Sequence, residues 1–366
     1  MKKKIAIITL HRVNNYGSIL QAYATQCYFE KLGYEVNIID YRRSWEIGIG
    51  YWVYPNEKSL IGVARNILYF PSKIVQFFRF RRFLKTKLKL TPNTYSCKED
   101  FFHYPIHADI FCTGSDQVWN SGWNRGVIPA YFLDFVEKKK GVKKISFAAS
   151  FGCSKLNQED KSIIEPLLKD YDCVTVREKN SVGMLSSEFG IESKEILDPT
   201  LQMDGEFWRS LCKKERYRRK KYVLLIQLNR NHEFDNLAVK FAEQNDLELV
   251  RLCLRVDQFL LPGKHIVIPE VEDYVRLVRD AEFVLTDSFH AVSFCLNLNI
   301  QFYVYYPEKY SERLRSIMEI LQIENRELKN MDSDTTHGID FHRINILLKE
   351  QRITTKNFIK KCLEKQ

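Results

Sequence analysis

The strongest constraint on the fold of this chain is a regular alternation of short apolar runs with stretches that have helical spacing. The N-terminal part contains KKIAIITL, SILQAYATQCYFEKLG and YEVNIIDY, and the alternation resumes with ADIFCTG, KKISFAAS and CVTVR. Strands that are apolar throughout and separated by helices indicate a parallel sheet covered on both faces. A second series runs from YVLLIQL to IQFYVYY. The sequence therefore predicts an α/β protein with two doubly wound, Rossmann-like parallel-sheet domains that face a cleft.

The length of 366 residues also favours two domains, because domains cluster near roughly 100 to 200 residues. The charged stretch KKERYRRKK separates the two series. We therefore expect an N-terminal domain at 1–215, with a basic helical insertion at about 44–107, and a C-terminal domain at 216–340. Residues 341–366 are helical in pattern and are candidates for packing back on the first domain.

Composition excludes several classes of protein. With 45% hydrophobic and 28% charged residues, the chain is typical of a globular protein rather than a disordered one. No apolar run approaches the roughly 18 residues of a spanning helix, and the opening MKKKIAIITLHRV is too short in its apolar part for a secretory signal. The nine cysteines form no CxxC pair, which predicts free thiols, no metal site and a cytoplasmic location.

The net charge of +10 is concentrated in one segment. Residues 58–98 contain ten lysines and arginines and no acidic residue. Large apolar residues are mixed with this charge, as in an interfacial helix on an anionic membrane or a helix that faces nucleic acid. The alternative is a pair of helices packed on the first domain with a solvated basic face.

The first βα loop, HRVNNYGSILQA, places small and polar residues before a helix. A helix N-terminus carries partial positive charge and N–H donors, which suit a phosphate, a carboxylate or a sugar hydroxyl. Asn15, Tyr16 and Gly17 are therefore candidates for binding the substrate that accepts a transferred group. A simple N-cap by Ser18 is the alternative. The chain has neither GxGxxG nor GxxxxGK[ST], so neither a dinucleotide site nor a P-loop is predicted.

The loop in FCTGSDQVWN combines short polar residues with a tryptophan. Aromatic faces stack on sugar rings, while amides and carboxylates bind the hydroxyls. This loop is therefore a candidate sugar site, although a Gly-Ser-Asp turn is also a common helix cap. The candidate residues are Ser115, Asp116, Gln117 and Trp119.

Two further candidates follow buried strands. Arg177 ends CVTVR, where its guanidinium would bind a carboxylate or phosphate with two hydrogen bonds, or form an ion pair with Glu178 or another carboxylate. His290 follows FVLTDSF in the first turn of a predicted helix. A histidine there can bind phosphate or exchange protons with a substrate, and the alternative is a structural histidine.

Together these clusters resemble the polysaccharide pyruvyl transferase family over about residues 4–325. The likeness is carried by Asn15, Tyr16, Gly17 and Gln21, and by GSDQVWN, YFLDF, SFAASFG, VREKNSV, LDPTL and TDSFHAVSF. The resemblance implies a GT-B-like architecture. It also implies transfer of the enolpyruvyl group of phosphoenolpyruvate to two hydroxyls of a sugar, forming a cyclic ketal, with no further cofactor.

The resemblance also implies roles for individual residues. His290 would bind phosphate and transfer a proton, and Asp116 would orient or deprotonate an acceptor hydroxyl. Arg177, Ser288 and His290 would hold the donor. Some members have arginine where this chain has Ser288, and Arg313 matches an arginine of relatives that carry the serine.

The expected partners are phosphoenolpyruvate and a glycan or lipid-linked sugar, with peripheral contact to the inner face of a membrane through 58–98 and no nucleic acid. One alternative is a GT-B glycosyltransferase that uses a nucleotide sugar, with Asp287 or Glu270 near the ribose. Asp332 and Asp334 are expected in a loop outside the cleft, so no metal-binding DxD pair is predicted. A second alternative is a non-catalytic protein that binds membrane or nucleic acid through the basic segment.

Overall fold

The computed structural model describes residues 2–48, 52, 60–137, 139–212, 220–306, 311–330 and 338–364. The chain divides into two compact units, each built from separate stretches of sequence. Unit 1 comprises Met1–Ser44, Phe83–Gln202 and Leu348–Gln366, and unit 2 comprises Trp45–Arg82 and Met203–Leu347. Residues 45–82, which the sequence suggested as an insertion of the first domain, thus group with unit 2.

Both units are built on parallel strands. The strands are β1 (Lys4–Ile8), β2 (Glu35–Tyr41), β3 (Leu90–Tyr95), β4 (Ile110–Thr113), β5 (Lys143–Ser146), β6 (Val174–Val176), β7 (Ser193–Glu195), β8 (Tyr222–Ile226), β9 (Glu248–Cys253), β10 (Lys264–Val267), β11 (Phe283–Thr286) and β12 (Gln301–Val304).

Helices connect these strands. They are α1 (Tyr16–Lys31), α2 (Leu60–Lys87), α3 (Lys98–His103), α4 (Ser121–Asn124), α5 (Gln158–Leu168), α6 (Lys179–Phe189), α7 (Pro199–Gln202), α8 (Gly205–Leu211), α9 (His232–Gln244), α10 (Val271–Asp280), α11 (Phe289–Leu298), α12 (Glu312–Leu321) and α13 (Phe341–Glu364).

The sheet of each unit has the same strand order. In unit 1 the order is β3-β2-β1-β4-β5, and in unit 2 it is β10-β9-β8-β11-β12, with all neighbours parallel. A parallel pair, β6 and β7, extends the sheet of unit 1, since the backbone N–H of Ser146 donates to the carbonyl of Cys173. This is the Rossmann order, and it confirms the predicted α/β class with two parallel sheets.

The strand order creates a switch point in each sheet. In unit 1 the chain leaves β1 in one direction and β4 in the other, and in unit 2 the same holds for β8 and β11. Open α/β sheets bind ligands beyond the carboxyl ends of their strands at such points. The loops after β1, β4, β8 and β11 are therefore where binding residues are expected.

Helix α13 completes unit 1. The guanidinium of Arg352 donates to the carbonyl of Leu201 at 2.7 Å, the amide of Gln202 donates to the hydroxyl of Thr355 at 3.1 Å, and Lys143 donates to the carbonyl of Cys362 at 2.9 Å. Within the described parts of the chain, no helix has both the length and the apolarity needed to cross a membrane.

The start of α8 shows how closely the helices of unit 2 approach each other. A Cβ atom added at Gly205 would overlap the backbone oxygen of Asn297 in α11. The overlap would be between the new Cβ and a backbone oxygen. Neither atom can move by rotation of a side chain, so the helices themselves would have to shift.

We predict that Gly205→Ala destabilises the protein by about 1–3 kcal/mol, as overpacking usually does. Gly183→Ala in α6 is the control, because a Cβ there meets no atom within 4 Å; it should stabilise by about 0.5–1 kcal/mol. Urea unfolding followed by circular dichroism measures both. Equal stability of the two variants would contradict the close approach.

Candidate functional site

The switch point of unit 1 is closed by hydrogen bonds between the loops after β1 and β4. The hydroxyl of Ser18 donates to the carboxylate of Asp116 at 2.5 Å, and the hydroxyl of Thr9 donates to the carbonyl of Ser115 at 2.9 Å. The amide of Gln21 in turn donates to the hydroxyl of Thr9 at 2.9 Å. These bonds fix the first turn of α1 against the GSDQ loop.

The conformation of the second loop follows from its sequence. Gly114 lies so close to β1 that an added Cβ would come within 2.8 Å of the Cβ of Thr9. Asp116 has φ 72°, in the left-handed region that aspartate tolerates better than most residues. A Gly-Ser-Asp sequence is therefore what this tight turn requires, and it directs the Asp116 carboxylate toward α1.

Arg177 lies behind this loop in a buried cluster of carboxylates. Its guanidinium contacts Asp198 at 2.7 Å, Glu178 at 3.4 Å and Asp116 at 3.8 Å, and its side chain is only 2% exposed. Asp198 also accepts from the hydroxyls of Ser115 and Thr200. The cluster connects the loops that follow β4, β6 and β7.

The charge balance of the cluster decides its chemistry. Burial lowers the pKa of Arg177, but the carboxylates of Asp198, Glu178 and Asp116 outweigh it and raise that pKa overall. One guanidinium faces three carboxylates, so the surroundings of Arg177 repel a further anion. The ion pair with Glu178 that the sequence offered as the alternative is present, and the role of Arg177 in binding the donor stays a prediction.

Trp119 is also placed differently from the sugar-binding role suggested by its sequence. Its ring is 1% exposed, stacks on Phe132 with centroids 5.3 Å apart and lies 5.0 Å from Phe151. Its indole N–H donates to the carbonyl of Tyr131. Trp119 is thus a core residue of unit 1, with no face available for a sugar.

The other predicted acceptor-binding residues lie at the mouth of the same switch point. Asn15 is the N-cap of α1, and its side-chain oxygen accepts from the N–H groups of Gly17 at 2.8 Å and Ser18 at 3.3 Å. Tyr16 is buried, whereas Asn15 and Gln117 are partly exposed. The cap that the sequence assigned to Ser18 is therefore made by Asn15.

The switch point of unit 2 has a matching arrangement. The carboxylate of Asp287, after β11, accepts from the N–H groups of Leu228 at 2.7 Å and Asn229 at 2.8 Å, after β8. Burial raises the pKa of Asp287, although these hydrogen bonds act in the opposite direction. Each sheet thus carries an aspartate that links the two loops of its switch point.

Helix α11 begins at this point. Ser288 is its N-cap and accepts from the N–H of Ala291 at 3.4 Å, and His290 stands in the first turn, 7% exposed. All ten residues of the helix are buried. The first turn of α11 therefore presents its partial positive charge and the imidazole of His290 at the carboxyl end of the sheet.

The remaining candidates of unit 2 belong to other elements. Arg313 is partly exposed near the start of α12. Glu270, the N-cap of α10, pairs with Arg82 at 3.1 Å. Asp332 and Asp334 lie outside the described residues.

Sequence reasoning missed a second buried ionic group beside the first βα loop. His11 contacts the carboxylate of Asp40 at 3.2 Å, Arg12 forms two hydrogen bonds to the same carboxylate, and Thr94 donates to it at 3.0 Å. Burial raises the pKa of Asp40, but the hydrogen bonds from His11 and Arg12 hold it well below its usual range. The available signal was the charged pair His11-Arg12 directly after an apolar strand.

Comparison with known proteins identifies the family. A family model described as polysaccharide pyruvyl transferase matches residues 15–309, more than half of the chain. A search of curated proteins found no significant match.

Solved structures resemble the chain in fold. An α-glucosyltransferase in complex with UDP and DNA is 9% identical, covers all of both chains and has a TM-score of 0.52. The glycosyltransferase SnogD from Streptomyces nogalater is 12% identical over 99% of this chain and 100% of its own, with a TM-score of 0.48. At this identity the likeness concerns the fold alone, and the first of these supports the GT-B-like architecture.

The Arg177 cluster predicts a large loss of stability when its cation is removed. Arg177→Met leaves buried carboxylates without their counter-ion, which costs about 3–5 kcal/mol. Lys169→Met is the matched control, since Lys169 forms an exposed pair with Glu165 worth only about 0.3–0.5 kcal/mol. Urea unfolding measures both, and an equal loss in the two variants would refute the structural role of Arg177.

Asp40 predicts a specific acid sensitivity. Its pKa is lowered on folding, so its contribution to stability is complete above the unfolded pKa of about 4 and is lost as the pH falls below it. Asp40→Asn should therefore flatten the decline of the urea midpoint between about pH 5 and pH 2. The exposed Asp246→Asn is the control and should retain the wild-type decline.

Proposed function

This chain belongs to the polysaccharide pyruvyl transferase family, and we propose that it transfers a pyruvyl group from phosphoenolpyruvate to a sugar of a polysaccharide or its lipid-linked precursor. The product would be a pyruvate ketal. The observation that carries the proposal is the family match over residues 15–309, which includes the start of α1 and the polar loops after β4, β8 and β11.

The donor requires a site for a phosphate and a carboxylate, and the start of α11 suits the phosphate. Ser288 ends the preceding loop as the N-cap, and His290 stands in the first turn beside it. The partial positive charge of a helix N-terminus and a protonated imidazole both favour an anion. We assign the donor phosphate to this turn and the donor carboxylate to Arg313.

The acceptor sugar is assigned to the switch point of unit 1. The backbone of Asp116 is in the left-handed region, and its carboxylate accepts a hydrogen bond from the hydroxyl of Ser18. Its carboxylate would accept a hydrogen bond from a sugar hydroxyl. Asn15, the N-cap of α1, and Gln117, the residue after Asp116, would offer amide groups. Arg177 supports this site indirectly, because it fixes the carboxylates behind the loop.

The reaction balances without a further reactant. A proton is added to the methylene carbon of phosphoenolpyruvate and one sugar hydroxyl attacks the adjacent carbon; the bond from that carbon to the phosphate oxygen then breaks, and the second hydroxyl bonds to the carbon in its place and closes the ring. Of the two hydroxyl protons, one balances the proton on the new methyl group and the other leaves with phosphate. His290 would donate and accept protons in these steps, a role worth about 10² to 10⁴ in rate.

The nucleotide-sugar alternative has less support in the side chains. The two carboxylates considered for a ribose are engaged, since Asp287 binds the N–H groups of Leu228 and Asn229, and Glu270 pairs with Arg82. A ribose would have to displace these contacts.

We predict that phosphoenolpyruvate raises the melting temperature of the purified protein and that UDP-glucose does not. A ligand at 100 times its dissociation constant stabilises the folded state by about 2.7 kcal/mol. His290→Ala should weaken the affinity for phosphoenolpyruvate by about 10- to 100-fold, because it removes a charge-assisted hydrogen bond. Differential scanning fluorimetry over a ligand series gives both affinities.

His342→Ala is the matched control, since His342 is exposed on α13. It should bind phosphoenolpyruvate like the wild type. A shift with UDP-glucose and none with phosphoenolpyruvate would overturn the proposed donor. Equal binding by the wild type and His290→Ala would remove His290 from the donor site.

A further inference from the structure

Helix α2 carries a row of large apolar side chains that face solvent. The exposed fractions are 69% for Ile67, 54% for Leu68, 45% for Phe70 and 65% for Phe78. Isolated exposed apolar residues are ordinary on protein surfaces, but several on one helix mark a binding surface. We call this surface the α2 face.

The periodicity of the helix brings these residues together. With 3.6 residues per turn, Ile67, Phe78 and Lys85 fall within about 20° of one line along the helix. Leu68, Phe70, Val75 and Arg81 flank that line on either side. The α2 face is therefore apolar from Ile67 to Phe78 and basic in the last two turns of the helix.

The opposite side of α2 is fixed to the rest of unit 2. The amide of Gln76 donates to the carbonyl of Leu254 at 2.7 Å, the hydroxyl of Ser72 accepts from the N–H of Val256 at 3.0 Å, and the guanidinium of Arg255 lies 5.4 Å from the ring centre of Tyr69. These contacts hold the helix on its polar side, so the apolar side is directed outward as part of a folded surface.

We propose that the α2 face binds the surface of an anionic lipid bilayer. The charge supports this partner, because the exposed cations Arg81 and Lys85 lie on the α2 face and residues 58–98 contain no acidic residue. Exposed apolar side chains next to lysine and arginine are the composition of helices that lie in the interface, with apolar groups among the acyl chains and cations at the phosphates. The inference does not depend on which group the enzyme transfers.

The binding mode is peripheral. Helix α2 contains Pro71 and several charges, and it is too polar to span a bilayer. Apolar insertion and charge attraction contribute separately, so each can be removed without the other. A second copy of the chain would use the apolar side chains but would have no requirement for anionic lipid.

Co-sedimentation with vesicles tests the proposal on the full-length protein. We expect binding to phosphatidylcholine vesicles that contain phosphatidylglycerol, weak binding to pure phosphatidylcholine, and a decrease with salt. Phe78→Ser should lower the partition coefficient at least about tenfold, by loss of apolar burial. The double variant Arg81→Gln/Lys85→Gln should lower it about 25-fold, at about fivefold per charge.

Two matched controls lie on α13. Ile353→Ser removes a 51% exposed apolar side chain, and Lys360→Gln/Lys361→Gln removes two exposed charges. Both should bind vesicles like the wild type. The proposal is overturned if the wild type does not bind anionic vesicles, or if the α2 variants bind as well as the controls. It is also overturned if light scattering shows a dimer that Phe78→Ser dissociates while vesicle binding is absent.

Because vesicle binding is read without any substrate, its failure leaves the phosphoenolpyruvate measurements untouched. Failure of donor binding likewise says nothing about the α2 face. The two proposals are therefore tested independently.

Discussion

The burial of one arginine among three carboxylates determines the arrangement of the loops in unit 1. Arg177 contacts Asp198, Glu178 and Asp116, which follow three different strands. Removing such a charge from water is costly unless partners surround it. The loops after β4, β6 and β7 are therefore held in one arrangement, and the Asp116 carboxylate is positioned by residues that need not touch a substrate.

In both units an aspartate connects the two loops of the switch point, but its hydrogen-bond donors differ. In both, the first and fourth strands of the series are neighbours in the sheet, and the aspartate connects the loops that follow these two strands. In unit 1 Asp116 accepts from the hydroxyl of Ser18, whereas in unit 2 Asp287 accepts from two backbone N–H groups and from the side-chain amide of Asn229. A side-chain donor can be exchanged by mutation, while a backbone donor cannot. The unit 1 edge is thus the more adaptable of the two.

The sequence predicted the central strands well because β1, β4, β8 and β11 are almost entirely apolar and buried, a pattern typical of a parallel strand covered on both faces. Gly-Ser-Asp and Ser-Phe-His were located for the same reason, since they interrupt that pattern at strand ends. The burial of Arg177 and Trp119 was not predicted. Both residues lie in polar motifs. Their partners, Asp198 for Arg177 and Phe132 for Trp119, lie in other segments of the sequence, so only the fold shows that Arg177 and Trp119 are buried. The group around Asp40 was missed because the pair His11-Arg12, Asp40 and Thr94 come from three separate segments.

The return of α13 to unit 1 has a consequence for biosynthesis. Unit 1 includes Leu348–Gln366, which the ribosome adds only after it has translated all of unit 2. The groups of unit 1 that bind α13 belong to Lys143, Leu201 and Gln202. They lack these partners until the 145 residues Met203–Leu347 and then the rest of α13 have been translated. Unit 2 is thus the first unit for which all segments have been synthesised. Unit 1 is incomplete until the end of translation, and its N-terminal sheet is the part that chaperones would encounter without its last helix.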